Sequence, residues 1–122
     1  MRFICYNINM ANQYKNSLQR GSIRFIIFKE GNVWYGAGLE FNIVESGDTP
    51  QEALFLLLEA TRGYLKSAKK SKARVAHILN QKADPEYEKM WGELHSRKEN
   101  RTSQPLNVFS FGRLDNRNLV HA

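Results

Sequence analysis

The sequence predicts an α+β domain: a small antiparallel sheet of three to four strands packed on one long helix, with a second C-terminal helix and a late strand. Three observations carry that prediction. Residues 23–44 hold β-branched and aromatic runs separated by short turn residues. Gly47-Asp48-Thr49-Pro50-Gln51-Glu52 then reads as a helix start, and apolar residues recur at helical spacing after it. Finally, Asp84-Pro85 opens a further helix and Val108 to Gly112 returns to strand composition.

Ile23-Arg24-Phe25-Ile26-Ile27-Phe28-Lys29 is the first strand. Ile23, Phe25 and Ile27 share one face, and Arg24, Ile26 and Phe28 the other. A strand apolar on both faces belongs in the centre of a sheet, or under another segment. Glu30-Gly31-Asn32 turns the chain, and Val33 to Ala37 returns. The small pair Ala37-Gly38 predicts a bend or bulge there. Leu39, Phe41 and Ile43 alternate with Glu40, Asn42 and Val44, which predicts a third, half-buried strand.

Thr49 suits the N-cap, Pro50 the first helical position, and Glu52 the return bond of a capping box to the Thr49 amide. The helix should run to about Lys69. Ala53, Leu54, Leu57, Leu58, Thr61, Tyr64 and Leu65 form a broad apolar stripe, which Phe55 and Leu56 widen beyond the need of one sheet face. Gly63 inside it predicts a tight contact. Asp84 and Pro85 then start a helix carrying Tyr87, Met90, Trp91 and Leu94 at core spacing, ending near Lys98. These elements divide the chain into an N-terminal arm (1–21), a ββ-β-α domain (22–72) and an extension packing on it (73–122). Phe3 to Ile8 in the arm also has the content of an extra strand.

With 122 residues and 42% apolar content, one core is expected. The net charge of +6 is uneven. Residues 1–21 hold three basic and no acidic residues, 22–66 four basic against six acidic, and 67–122 eleven against six. The central domain is thus mildly acidic between basic flanks. No run of about 20 apolar residues exists to span a membrane. Phe3-Ile4-Cys5-Tyr6 is shorter than the 7–15 or so apolar residues of a secretory leader. With Cys5 as the single cysteine, a reducing cytoplasm is the expected setting.

Chemistry of the chain's own is not expected. Glu40 and Glu45 are five apart, so on one strand they face opposite sides. His77, His95 and His121 lack metal-ligand spacing with one another or with Cys5. Ser110-Phe111-Gly112 is no nucleophile elbow, and no phosphate-cradling glycine loop occurs. Neither a catalytic residue nor a metal or cofactor is assigned.

A hairpin around Phe28-Lys29-Glu30-Gly31-Asn32-Val33-Trp34, followed by Leu39-Glu40-Phe41-Asn42-Ile43-Val44-Glu45-Ser46-Gly47-Asp48-Thr49, Glu52-Ala53-Leu54 and Glu59-Ala60, resembles the HicB-like antitoxin domain over about residues 22–70. The resemblance implies a sheet like that of a truncated ribonuclease H fold. It also implies a protein-interaction module that binds and neutralises a small HicA-type mRNA-cleaving toxin. Many members add a DNA-binding module, but the single helix after Lys82 does not supply a two-helix reader. A solitary member without a toxin remains the variant of that reading.

Trp34, Tyr35, Phe55 and Leu56 are the candidate partner-binding residues. Lys69, Lys70, Lys72 and Arg74 are the candidate nucleic-acid contacts of an alternative reading, a DNA- or RNA-binding regulator. The same cations complement the helix dipole, which explains them without a ligand. Open sheet edges are expected at Val33 to Ala37 and Val108 to Phe111, the late strand covering one edge, and a homodimer follows as the closed solution.

Overall fold

The computed structural model describes residues 16–18, 20–71 and 75–116. The order is β1 (Ser22–Glu30), β2 (Val33–Gly38), β3 (Ile43–Gly47), α1 (Pro50–Lys70), α2 (Val75–Leu79), α3 (Pro85–Glu99) and β4 (Val108–Asp115). The strands make one antiparallel sheet in the order β3-β2-β1-β4. The fold is therefore α+β, with the long helix α1 against the sheet.

β1 lies inside the sheet because both its faces are apolar. Ile23 and Ile27 are buried on the α1 side, and Ile26 and Phe28 on the α3 side. The turn into β2 has two residues, since Glu30 pairs with Val33. Gly31, first of the two, takes φ 64°, a value its missing Cβ makes cheap.

The outer edges are β3 and β4. The expected open edge at Val33 to Ala37 is wrong, because β2 pairs with β1 on one side and β3 on the other. The expectation that the late strand covers one edge holds in that β4 closes the free side of β1.

The third strand begins four residues later than the alternation predicts. Leu39 to Asn42 form a turn, and the strand starts at Ile43. The turn hides its apolar residues by splitting them between two layers. Leu39 enters the α3-side core and Phe41 the α1-side core, with Phe41 stacked on Tyr64 at 4.7 Å. Alternation there records two directions of burial rather than a pleat. The expected bend comes directly after Gly38, in the turn Leu39 to Asn42, and the register through Ala37-Gly38 is free of a bulge. Gly36 lets α1 approach, since a Cβ there would stand 2.9 Å from the Ala53 carbonyl oxygen, and Gly38 makes room for the Ile23 side chain, which would be 2.8 Å from a Cβ at that position.

α1 starts as predicted. Thr49 Oγ1 accepts the Glu52 amide at 3.0 Å, with Thr49 in extended geometry and Pro50 next. Glu52 reaches back to the amide of Asp48 at 2.8 Å, not to that of Thr49. Ala53, Leu57, Thr61, Leu65 and Ala68 are its buried line. The Thr61 hydroxyl is satisfied by donating to the Leu57 carbonyl at 2.7 Å. Gly63 makes no tight contact, since a Cβ there would meet open space. α3 is capped by Asp84, whose Oδ1 accepts the Glu86 amide at 2.9 Å.

The arm is not loose at its C-terminal end. Asn16 is buried and bridges three segments: its side chain donates to Leu79 O at 3.0 Å and accepts from the Ser22 amide at 2.8 Å, while its amide donates to Asn80 Oδ1 at 2.9 Å. The proposed strand Phe3 to Ile8 lies outside the described residues.

Candidate interaction surface

A helix is about 10 Å across and strands lie about 4.8 Å apart, so one helix covers about two strands. α1 packs over β2 and β3. α3 packs on the opposite face through Tyr87, Met90, Trp91 and Leu94, meeting Arg24 and Phe28 of β1 and Phe111 and Arg113 of β4. The helices thus sit diagonally, each over one half of its face.

Among the described residues, α2 and Leu18 cover the Ile23–Leu114 end of the half beside α1, and the other end carries an aromatic cluster. Phe25 lies against Gly112, its cross-strand partner, where a Cβ would stand 3.3 Å from the ring. Trp34 meets Phe109 edge to face, with centroids 6.3 Å apart at 79°. The Lys29 ammonium sits 5.9 Å above the Trp34 ring. Leu54 closes the flank toward α1.

A β-bulge presents Phe109. Ile27 pairs with Ser110 and Phe28 with Val108, which leaves Phe109 without a cross-strand partner and 44% exposed. Gln104 donates to the carbonyls of Val108 and Phe109 at 2.7 and 3.3 Å, so the start of this edge is occupied. Next to that occupied start, the exposed Phe109 side chain is the accessible feature of β4.

The sequence-predicted residues are dispersed. Trp34 belongs to the cluster. Tyr35, its neighbour on β2, points to the other face and stacks on Phe28 at 5.6 Å. Phe55 is 60% exposed on α1, and Leu56 is half-buried on the same helix. Lys69 and Lys70 are exposed in the last turn of α1, where they complement its dipole. Lys72 and Arg74 lie outside the described residues. Phe25, Lys29 and Phe109 were missed. Phe25 reads as plain core in sequence, and the bulge that exposes Phe109 has no local signal.

On the α3 side, polar groups are internally matched. Glu40 accepts from the Arg24 amide at 2.7 Å and from its Nε at 2.6 Å, while Glu88 takes Nη1 and Nη2 at 2.8 Å each. Hydrogen bonding to Glu88 first, then to Glu40, outweighs burial and raises the Arg24 pKa. Trp91 is half-buried, with the guanidinium carbons of Arg24 and Arg113 each 5.6 Å from its centroid. Arg24 and Arg113 are direct cross-strand partners, a like-charge pairing that the carboxylates and the ring offset. This network ties β1, the 39–42 turn and α3 together.

Among the described residues no group of three or more His, Cys, Asp or Glu could hold a metal ion, and no helix is long and apolar enough to cross a membrane. The chain is a small α+β domain whose two longer helices cover opposite halves of one sheet. Comparison with protein-family models found no match, and neither did comparison with curated proteins or with solved structures.

Proposed function

We propose that the chain is a protein-interaction module of the HicB-like antitoxin type, with a small HicA-type toxin as partner. The observation that supports this reading best is the aromatic cluster of Phe25, Trp34 and Phe109, half-buried at the first two and exposed at Phe109, over which neither α1 nor α3 lies among the described residues. Large exposed apolar patches mark interaction sites, and aromatic residues, Trp among them, are enriched at such contacts. Exposed Asp48 and Glu52 stand at the start of α1, and the acidic balance of residues 22–66 suits a basic partner. In the absence of a partner a second copy covers the same patch, giving a homodimer.

The runner-up is nucleic-acid binding. Lys66, Lys69 and Lys70, all exposed near the end of α1, favour it. That mode works by counterion release and falls steeply with salt, whereas apolar docking does not.

The test is co-expression with the product of the adjacent gene, followed by pull-down. A stoichiometric complex in high salt, with loss of the partner's RNA cleavage, supports the reading. Absence of a complex, together with salt-sensitive retardation of random duplex, would replace it with the runner-up.

A further inference from the structure

A cavity of about 320 Å³ opens between the C-terminal half of α3 and β4, away from the aromatic half-face. Leu94 and Phe111 give it apolar walls, and Arg97, Lys98, Thr102 and Gln104 its polar ones. Leu94 is buried, so that wall is fixed by the core. Phe111 is held by Trp91, edge to face at 5.7 Å and 86°, and Trp91 itself lies over Arg24 and Arg113. The aromatic wall is therefore set before any ligand arrives.

The electrostatics favour an anion. A helix C-terminus ordinarily presents free carbonyls, which repel one. Here the loop takes three of the four: Asn100 N donates to Ser96 O at 3.0 Å, Thr102 N to Arg97 O at 2.7 Å, and Arg101 N to Lys98 O at 3.2 Å. Arg97 Nη1 donates to Ser103 O at 2.9 Å, which holds the guanidinium beside the loop. What remains at the cavity is the charge of Arg97 and Lys98. Thr102 can donate or accept, while Gln104 spends its amide nitrogen on Val108 and Phe109 and keeps its carbonyl oxygen as an acceptor.

We infer that this cavity binds a single nucleotide, its phosphate on Arg97 and Lys98 and its base against Phe111, with Gln104 accepting from an exocyclic amine. The size is at the lower end for ligand pockets, which suits one base and its phosphate rather than a larger cofactor. The source is a free nucleotide or the 5′ end of an RNA strand, which share this chemistry. The inference is independent of the half-face beside α1.

The experiment is a titration of the isotope-labelled full chain with AMP, followed by amide shifts. Parallel arms use adenosine, inorganic phosphate and a short 5′-phosphorylated oligoribonucleotide. Saturable shifts are expected around Leu94, Arg97 to Gln104 and Phe111, with adenosine or phosphate alone much weaker. Lys98→Gln and Arg97→Gln should each weaken AMP about tenfold, the scale of one lost charge-assisted bond. Lys98 is exposed, so its variant should keep the wild-type fold. An oligonucleotide that binds more tightly than AMP assigns the RNA end, and equal affinity assigns the free nucleotide. Shifts that do not saturate, that lie elsewhere, or that survive both substitutions overturn the inference.

Discussion

Arg24 is held by two carboxylates, those of Glu40 and Glu88. Its side chain is 17% exposed and that of Glu40 is 7% exposed, so removing one strands the other. Arg24→Ala should cost about 3 kcal/mol, the scale for breaking a partly buried pair. Glu88 is 45% exposed, and Glu88→Ala should cost only about 1 kcal/mol. Urea midpoints for the two variants check the order, and equal costs would contradict the distinction. The tyrosines set a second expectation. Burial raises the Tyr64 and Tyr87 hydroxyls above their ordinary value of 10.0, and neighbouring charges of Glu86, Asp84 and Glu30 add to it at Tyr87. The folded state therefore holds these protons more tightly than the unfolded chain. Their contribution is complete below pH 10.0 and is lost as pH rises through the folded values. Stability should fall on that alkaline side, and replacing both tyrosines by phenylalanine should flatten the fall. A fall of the same size in the double variant would assign it to other groups.

At the scale of elements, α1 is where local and tertiary rules agree. Thr49→Ala should cost about 1 kcal/mol through the lost cap, read as a lower urea midpoint at unchanged slope. Gly36→Ala should cost about 2 kcal/mol, because α1 must move away from β2 to admit the methyl group. Helix starts were legible because capping is a property of adjacent residues: Thr49-Pro50 and Asp84-Pro85 both head helices in the structure. The third strand was not, because Leu39 and Phe41 alternate by entering different core layers. Gly63 was misjudged for a related reason. A glycine in a helix marks close approach only on the packed side, and Gly63 is exposed. The five-residue α2 carries too little periodicity to be read in advance.

For the whole molecule, the diagonal placement of α1 and α3 decides which half of each sheet face the two long helices cover. Sequence could show that β1 is apolar on both faces, and that two helices follow it. It could not show which half of each face a long helix covers, because that depends on register and on sheet order. Trp34 was recoverable as an aromatic beside a turn, whereas Phe109 needed the bulge. If a second copy covers this patch, light scattering should give a dimer that changes little between low and high salt. A monomer under both conditions would remove the homodimer.

The most direct measurement is calorimetric titration of the chain with the adjacent-gene product, using wild type and Phe109→Ser at two salt concentrations. Phe109 is exposed at the bulge and outside the buried core, so the substitution spares the fold. Wild-type affinity should be nearly independent of salt, and Phe109→Ser should lose about tenfold or more, the scale of one interface anchor. Equal affinities for the two proteins, or binding that disappears at high salt, would contradict an apolar docking face over β1 and β4.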